Sequence, residues 1–422
     1  MDLIQPKHSY ADEKSQWQIY TNTSLRTVWV ILEDAWVAIS LHDENIRETK
    51  ELNSNIVGIN LVWAPYIPVV METIQRLKKQ FWDDLIFILW GQPLTQKKPK
   101  TWQILGLDDG QFEKLFWRAY NGMETNVLES LSKRKDISDW HISLIPMYQK
   151  LSDSDFTEYF TREISLYVSQ WCKFDCDFCG AVKNQKEQYR DEKVLYEDIC
   201  YIVERLQKLW KKQVSIYMSN LDVFQSPKQL EWFADMILQI KKDNPGFTFS
   251  LRGLAGTKSF TDLDKNNPAV LEKLVKAGFN SVWYGVDGMW SGVWKWIKKP
   301  QNNEKEILDA IRLSKEKYDI TPELLMVFGH NWVDTEKSLR NAYEFVEGMV
   351  QKYWAVPRPH VAKAFHSRQW RTDESRLSRW NQIAYRKPSL IPIVGFHRIG
   401  EQTHASGWEI QEARKSLLSR DV

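Results

Sequence analysis

Residues 171–180 read WCKFDCDFCG and place Cys172, Cys176 and Cys179, three of the chain's four cysteines, on one short stretch. Four cysteines among 422 residues are too few for a disulfide framework. Clustered reduced thiols point instead to a metal site or to thiol chemistry. The compartment agrees with that reading. MDLIQPKHSYADEKSQ, at the start of the sequence, has no basic flank followed by an apolar run. No stretch approaches the roughly 18 uncharged apolar residues of a membrane span, so a cytoplasmic protein with no membrane contact is expected. The apolar fraction of 43% and charged fraction of 27% are those of globular domains, and the length implies two or three of them. A net charge of +2 selects no class of partner.

The cysteine stretch follows ISLYVSQ (164–170) and precedes five further strand-like runs: QVSIYMS (213–219), FTFSLRG (247–253), NSVWYGV (280–286), PELLMVF (322–328) and AVPRPHVAKAF (355–365). Amphipathic stretches such as LYEDICYIVERLQKLW and KSLRNAYEFVEGMV lie between them. Strands alternating with helices predict an α/β fold, here six β/α units forming a parallel sheet curved into a partial barrel, with function gathered at the carboxyl ends of the strands. The three cysteines fall at that end of the first strand.

The spacing Cys172-x3-Cys176-x2-Cys179 offers three thiolates on one loop. A structural zinc site wants four ligands, usually as two separated pairs. No second pair exists, and Cys200 lies in a predicted helix, EDICYIVERL, where a buried inert thiol is expected. An iron–sulfur cubane takes one cysteine per iron. Three cysteines on a 4Fe–4S cluster therefore leave one iron open to a small molecule; zinc or a redox-inert cluster is the alternative.

Residues 160–365 resemble the radical S-adenosylmethionine (SAM) enzymes. The resemblance rests on the cysteine spacing, on its place after the first strand of a six-unit barrel, on Phe178 before the last cysteine and on Gly180 after it. It implies that the open iron is chelated by the amino and carboxylate groups of SAM, and that reductive cleavage yields a 5′-deoxyadenosyl radical. An electron donor such as flavodoxin or ferredoxin is implied with it. The second strand in this family ends in a small-residue motif that binds the SAM amino group. Here it ends MSNLDVF, which departs from two glycines and an acid and leaves Ser219, Asn220 and Asp222 for the role. Arg252 ends the third strand and Asp287 follows the fourth, where the SAM carboxylate and ribose are expected; Gly329, His330 and Asn331 close the fifth. For each, an ordinary strand-end residue is the competing reading.

The region before about residue 130 carries continuous apolar runs, TVWVILE (27–33), IVGINLVW (56–63) and DLIFILWG (84–91), with a helical PVVMETIQRLKKQ between the last two. Such runs read as parallel strands buried on both faces. The region is similar to the Rossmann-like cobalamin-binding domain that precedes many radical SAM cores, which implies cobalamin as a further cofactor. The Asp-x-His-x-x-Gly motif of many such domains is missing, and His42 in SLHDENIR reads as a solvated surface histidine. The expected organisation is a cobalamin-binding-like domain (1–130), a polar linker (131–163), the partial barrel (164–365) and a basic extension (366–422).

Trp occurs 21 times and Gly only 18. Trp36, Trp90, Trp171, Trp296 and Trp332 stand in loop-like contexts where glycine is the natural residue. One explanation is a gene from an organism that reads a stop codon as glycine, translated here as tryptophan. The alternatives are an aromatic binding surface or buried rings.

Cys200 alone cannot hold a second cluster, so methylthiotransferases and multi-cluster peptide-modifying enzymes are disfavoured. What remains is methyl transfer to, or rearrangement of, an unactivated carbon of a small metabolite, or a cobalamin-independent hydrogen abstraction. A cluster-bearing protein that binds SAM without turning it over is the non-enzymatic reading. Residues 355–422 hold 12 Lys and Arg against 6 Asp and Glu, which suits an anionic substrate, RNA phosphates or a plain solvated face.

Overall fold

The computed structural model describes residues 1–6, 38–60, 67–81, 85–90, 143–166, 168–170, 172–174, 176, 188–289, 291–328 and 336–361. They fall into two compact units, the first drawn from residues 1–165 and 190–211, the second from 166–189 and 212 onward.

In the first unit, β1 (Asp2–Gln5), β2 (Ser40–Asp43), β3 (Ile56–Asn60) and β4 (Ile86–Trp90) form a parallel sheet of order β2-β1-β3-β4. The order reverses between β1 and β3, which makes a topological switch point at the carboxyl ends of those two strands. Helix α1 (Ile67–Gln80) joins β3 to β4; Val70, Ile74 and Leu77 recur on its buried face. Within the runs at 56–63 and 84–91 the described residues form β3 and β4, as expected, and the run at 27–33 lies outside the described residues. Sequence reading missed β1 and β2, because DLIQ and SLHD bring polar residues inside. Asp2 is fully buried, and its carboxylate meets His42 Nε2 at 2.7 Å and accepts from the Asn53 backbone N–H. His42 is therefore not a solvated surface histidine.

The segment expected as a linker holds two helices, α2 (Ile145–Lys150) and α3 (Asp153–Arg162). Ser152 caps α3, its hydroxyl accepting from Asp155 N–H at 3.1 Å. The polar run SDSD starts a helix here instead of breaking one. Phe156 and Phe160, four apart, stack at 4.2 Å, and Tyr148 meets Phe160 edge-on at 5.2 Å. Helix α4 (Glu192–Lys208) also belongs to this unit instead of to the barrel segment. Arg205 lies 4.3 Å above the Phe156 ring and donates to Leu151 O. Buried Asp198 accepts from Ser143 Oγ, Leu144 N and Arg190. Cys200, expected to be buried, is half-buried on α4.

The second unit opens with β5 (Ile164–Leu166), whose last residue belongs to it, then β6 (Ser169–Gln170) and β7 (Gln188–Tyr189). The expected strand 164–170 is split. Its second half leaves the main sheet and pairs antiparallel with β7, so that a two-residue ladder brackets the cysteine segment. The chain continues through β8 (Gln213–Met218), α5 (Pro227–Asp243), β9 (Thr248–Ala255), α6 (Thr257–Asn266), α7 (Pro268–Ala277), β10 (Phe279–Gly285), α8 (Ser291–Trp296), α9 (Glu304–Tyr318), β11 (Thr321–Phe328), α10 (Glu336–Tyr353) and β12 (Val356–Val361). The six-stranded sheet runs β12-β11-β10-β9-β8-β5, and each neighbouring pair from β8 to β12 is parallel. This is the six-unit α/β architecture expected.

Burial alternates along these strands. Val214, Ile216 and Met218 of β8 are buried, whereas Ser215 and Tyr217 between them are half-buried. Helix α5 buries Leu230, Phe233, Ile237 and Ile240 at helical spacing. One glycine is irreplaceable on steric grounds. Gly278 closes α7 at φ +123°, and a Cβ there would stand 2.1 Å from Phe249 O. Two other helices end differently: α4 and α10 are closed by Trp210 (φ 59°) and Trp354 (φ 56°). Among the described residues no helix is long and apolar enough to cross a membrane.

Candidate metal centre

Cys172 and Cys176 leave the carboxyl end of the β5–β6 segment as thiols outside any disulfide, the first half-buried and the second buried. Cys179, Phe178 and Gly180 lie outside the described residues, as do Gly329, His330 and Asn331. Side-chain amides reach the two described cysteines from the turn after β8 and from the segment after α8.

The turn after β8, SNLDVFQ, anchors the cysteine segment. Asn220 Oδ1 accepts from Val168 and Ser169 N–H, and its Nδ2 donates to Ser169 Oγ at 2.8 Å. Ser219, half-buried, donates its backbone N–H to Leu166 O. Asp222 is buried, and its carboxylate accepts from Phe224 N, Gln225 Nε2, Gly256 N and Ser259 Oγ at 2.7–3.2 Å. Burial raises its pKa, while those four donors pull the other way. A carboxylate so engaged is a brace. Asp222, expected to contact the SAM amino group, is held by these four protein donors.

Gln225 carries that brace to the cysteines. Its Oε1 accepts from Lys173 N–H at 2.9 Å; its Nε2 donates to Asp222 Oδ2 at 2.8 Å and reaches Cys172 Sγ at 3.7 Å. A second amide arrives from the segment after α8. Gln301 Nε2 donates to Cys176 Sγ at 3.5 Å, while its buried Oε1 has no partner among the described residues. Neighbouring Asn302 donates to Gly285 O and Val286 O, and its buried Oδ1 is likewise unpartnered there.

Asp287 follows β10 at φ 48°, a conformation Asp tolerates better than most residues. Its carboxylate pairs with Lys299 Nζ at 2.5 Å, and the same ammonium donates to Gly285 O. Arg252 sits mid-sheet, 4.2 Å from the Trp283 ring and in an ion pair with Glu323 at 3.7 Å. Glu323 also pairs with Arg358 and accepts from Ser281 Oγ. Sequence reading named Asp222, Asp287 and Arg252 but missed the groups that hold them, Gln225, Lys299 and Glu323, and missed Gln301, which reaches Cys176. KKPQNN carries no periodic signal and reads as plain loop; the run VDG before it, a strand end, was the clue that a closing segment should follow.

Residues 166–342 match the family model of the radical SAM superfamily. The chain carries a radical SAM domain. Its fold also resembles solved structures of the cobalamin-dependent SAM radical enzyme OxsB. The apo form aligns with a TM-score of 0.56 at 12% identity, over 82% of this chain and 51% of that one. OxsB with aqua-cobalamin bound aligns at 0.55 and 12%, over 82% and 52%, and OxsB with both aqua-cobalamin and SAM at 0.54 and 12%, over 82% and 51%. The chain thus spans about half the length of the solved structures it matches, and at this identity the likeness is one of fold. At 82% of this chain, the likeness extends well beyond residues 166–342. No curated protein matches the sequence.

Proposed function

We propose that this chain is a radical SAM enzyme which holds one 4Fe–4S cluster on Cys172, Cys176 and Cys179 and functionalises an unactivated carbon of a small, anionic metabolite, with cobalamin as methyl carrier. The observation that carries the reading is the donor set at the strand ends. Two thiols with side-chain amides near their sulfurs, beside buried acceptors on Gln301 and Asn302, suit thiolate ligands of a cluster and a ligand rich in donors. When bound, cluster and SAM supply a one-electron reductive cleavage, with the electron drawn from a flavodoxin- or ferredoxin-type donor. The protein's part is placement and exclusion of water. Asn220 and Asp222 hold the cysteine segment against β8, and Lys299 and Asn302 close the end of β10. The basic extension, 366–422, lies outside the described residues.

The test is anaerobic reconstitution with iron and sulfide, then dithionite and SAM. Formation of 5′-deoxyadenosine is expected; cluster uptake without it would leave a SAM-binding protein that is not an enzyme. For cobalamin, the support is the β2-β1-β3-β4 order, whose switch point ends at Gln5 and Asn60. Hydroxocobalamin should be retained through desalting. His42→Ala should retain it equally, since His42 is engaged with Asp2. Loss of cobalamin with deoxyadenosine formation intact would leave a cobalamin-independent hydrogen-abstracting enzyme.

A further inference from the structure

We propose that Gln225 and Gln301 are positioning residues that set the reduction potential of the cluster, each by donating a side-chain N–H to one ligand sulfur. The inference rests on the cluster assignment above and goes beyond it. Hydrogen bonds to cluster sulfurs are one of the few means by which a protein moves a cluster's potential. A donor stabilises the more electron-rich, reduced state more than the oxidised one, so each such bond raises the potential.

The geometry at Gln225 leaves little choice of orientation. An amide's oxygen and nitrogen are told apart by their partners. Lys173 N–H needs an acceptor, and Asp222 Oδ2 needs a donor. Both are satisfied only with Oε1 toward Lys173 and Nε2 toward Asp222. A primary amide nitrogen carries two hydrogens; one goes to Asp222 at 2.8 Å and the other faces Cys172 Sγ at 3.7 Å. Asp222 is in turn held by Phe224 N, Gly256 N and Ser259 Oγ, so the aim of Gln225 is fixed from β8 and from the end of β9. The sequence thus builds a relay from Ser259 and Gly256 through Asp222 and Gln225 to a cysteine sulfur.

Gln301 does the same from the segment after α8. The residue is 7% exposed, its Nε2 lies 3.5 Å from Cys176 Sγ, and its Oε1 has no protein partner among the described residues. A buried amide that leaves its oxygen unpaired loses one hydrogen bond's worth of stability. Turning the oxygen toward a thiolate would replace attraction by repulsion, so the nitrogen faces sulfur. The backbone around it is secured by Lys299 and by Asn302, which bond Gly285 O and Val286 O. Two cysteines of the motif are therefore each served by one glutamine, one from the turn after β8 and one from the segment after α8.

The experiment compares wild type with Gln225→Leu and Gln301→Leu, and with the shape-preserving Gln225→Glu and Gln301→Glu, all as the full chain reconstituted with iron and sulfide. Iron and acid-labile sulfide are counted first. The midpoint potential is then read by redox titration, following the EPR signal of the reduced cluster. Each variant is expected to hold the wild-type iron content and to titrate at a more negative potential. At fixed poise the reduced-to-oxidised ratio should fall about tenfold, which is ~59 mV for one electron. Where a Leu variant loses the cluster, the Glu variant of the same shape is read in its place, and its carboxylate should push the potential the same way. Full cluster content with unmoved potentials would overturn this inference alone. A wild-type protein that takes up no cluster would overturn the proposed function, and this inference with it.

Discussion

Replacing Cys172, Cys176 or Cys179 by Ala is expected to abolish the brown chromophore of the reconstituted protein and all SAM cleavage, while Cys200→Ala leaves both at wild-type levels. The asymmetry follows from where the thiols stand. Cys172 and Cys176 share one segment at the carboxyl end of the first strand, with amide donors near both sulfurs. Cys200 is half-buried on α4, which belongs to the other unit. A cubane that loses one of three protein ligands keeps two, too few to hold it against solvent, so the effect should be total. The measurements are iron content, the visible spectrum and deoxyadenosine formed under dithionite. Equal loss in Cys200→Ala would mean a fourth cysteine ligand and no open iron for SAM, and the reading of the site would fail with it.

Much of the architecture is legible in the sequence, because its signals are of the strong kind. Five of the six barrel strands are short strand-like runs separated by amphipathic helical stretches, and the observed β8 to β12 differ from them only at their ends. Where sequence reading fails, local polarity misleads it. In the first sheet, β1 and β2 hide because a buried carboxylate and an imidazole satisfy each other inside, a pairing with no trace in hydropathy. The linker reading of 131–163 takes SDSDFTEYF for turn residues, although Ser152 caps a helix whose Phe156 and Phe160 are core. At the site, the cysteines are legible since their spacing is itself chemistry. The amides are not. Gln225 and Gln301 lie 53 and 125 residues from the sulfurs they reach, and only the folded sheet brings them there. Asp222 shows the limit from the other side: its position in the motif suggests a ligand contact, and its four protein donors make it a brace.

Trp210→Gly and Trp354→Gly together are expected to stabilise the chain by about 2 kcal/mol, since a tryptophan at each place holds a backbone shape that suits glycine. Both residues sit just past a helix, at φ 59° and 56°. In each the next residue's N–H reaches back across the end of the helix, Lys211 to Leu206 O at 2.9 Å and Ala355 to Met349 O at 3.4 Å. That closure places its turning residue in the left-handed region, and glycine is the residue it usually takes. A residue with a Cβ loses about 1–2 kcal/mol there, against roughly 0.4–1 kcal/mol for the greater freedom glycine has when unfolded. The rings return little, since Trp210 is 93% and Trp354 76% exposed. The gain should appear as a higher urea midpoint with an unchanged slope. These two positions also refine the question raised by 21 tryptophans against 18 glycines. Of the five tryptophans that look like misplaced glycines, Trp36, Trp171 and Trp332 lie outside the described residues. Trp90 ends a strand and Trp296 a helix, regular backbone that needs no glycine. The glycine geometry is at Trp210 and Trp354, which the ends of two amphipathic helices could have indicated. If a stop codon is read as glycine in the source organism, peptides of the natural protein will carry glycine at both. Tryptophan in those peptides, together with an unmoved urea midpoint in the double variant, would show that the chain holds these two turns with indoles at no cost, and would remove the recoding explanation where the structure supports it best.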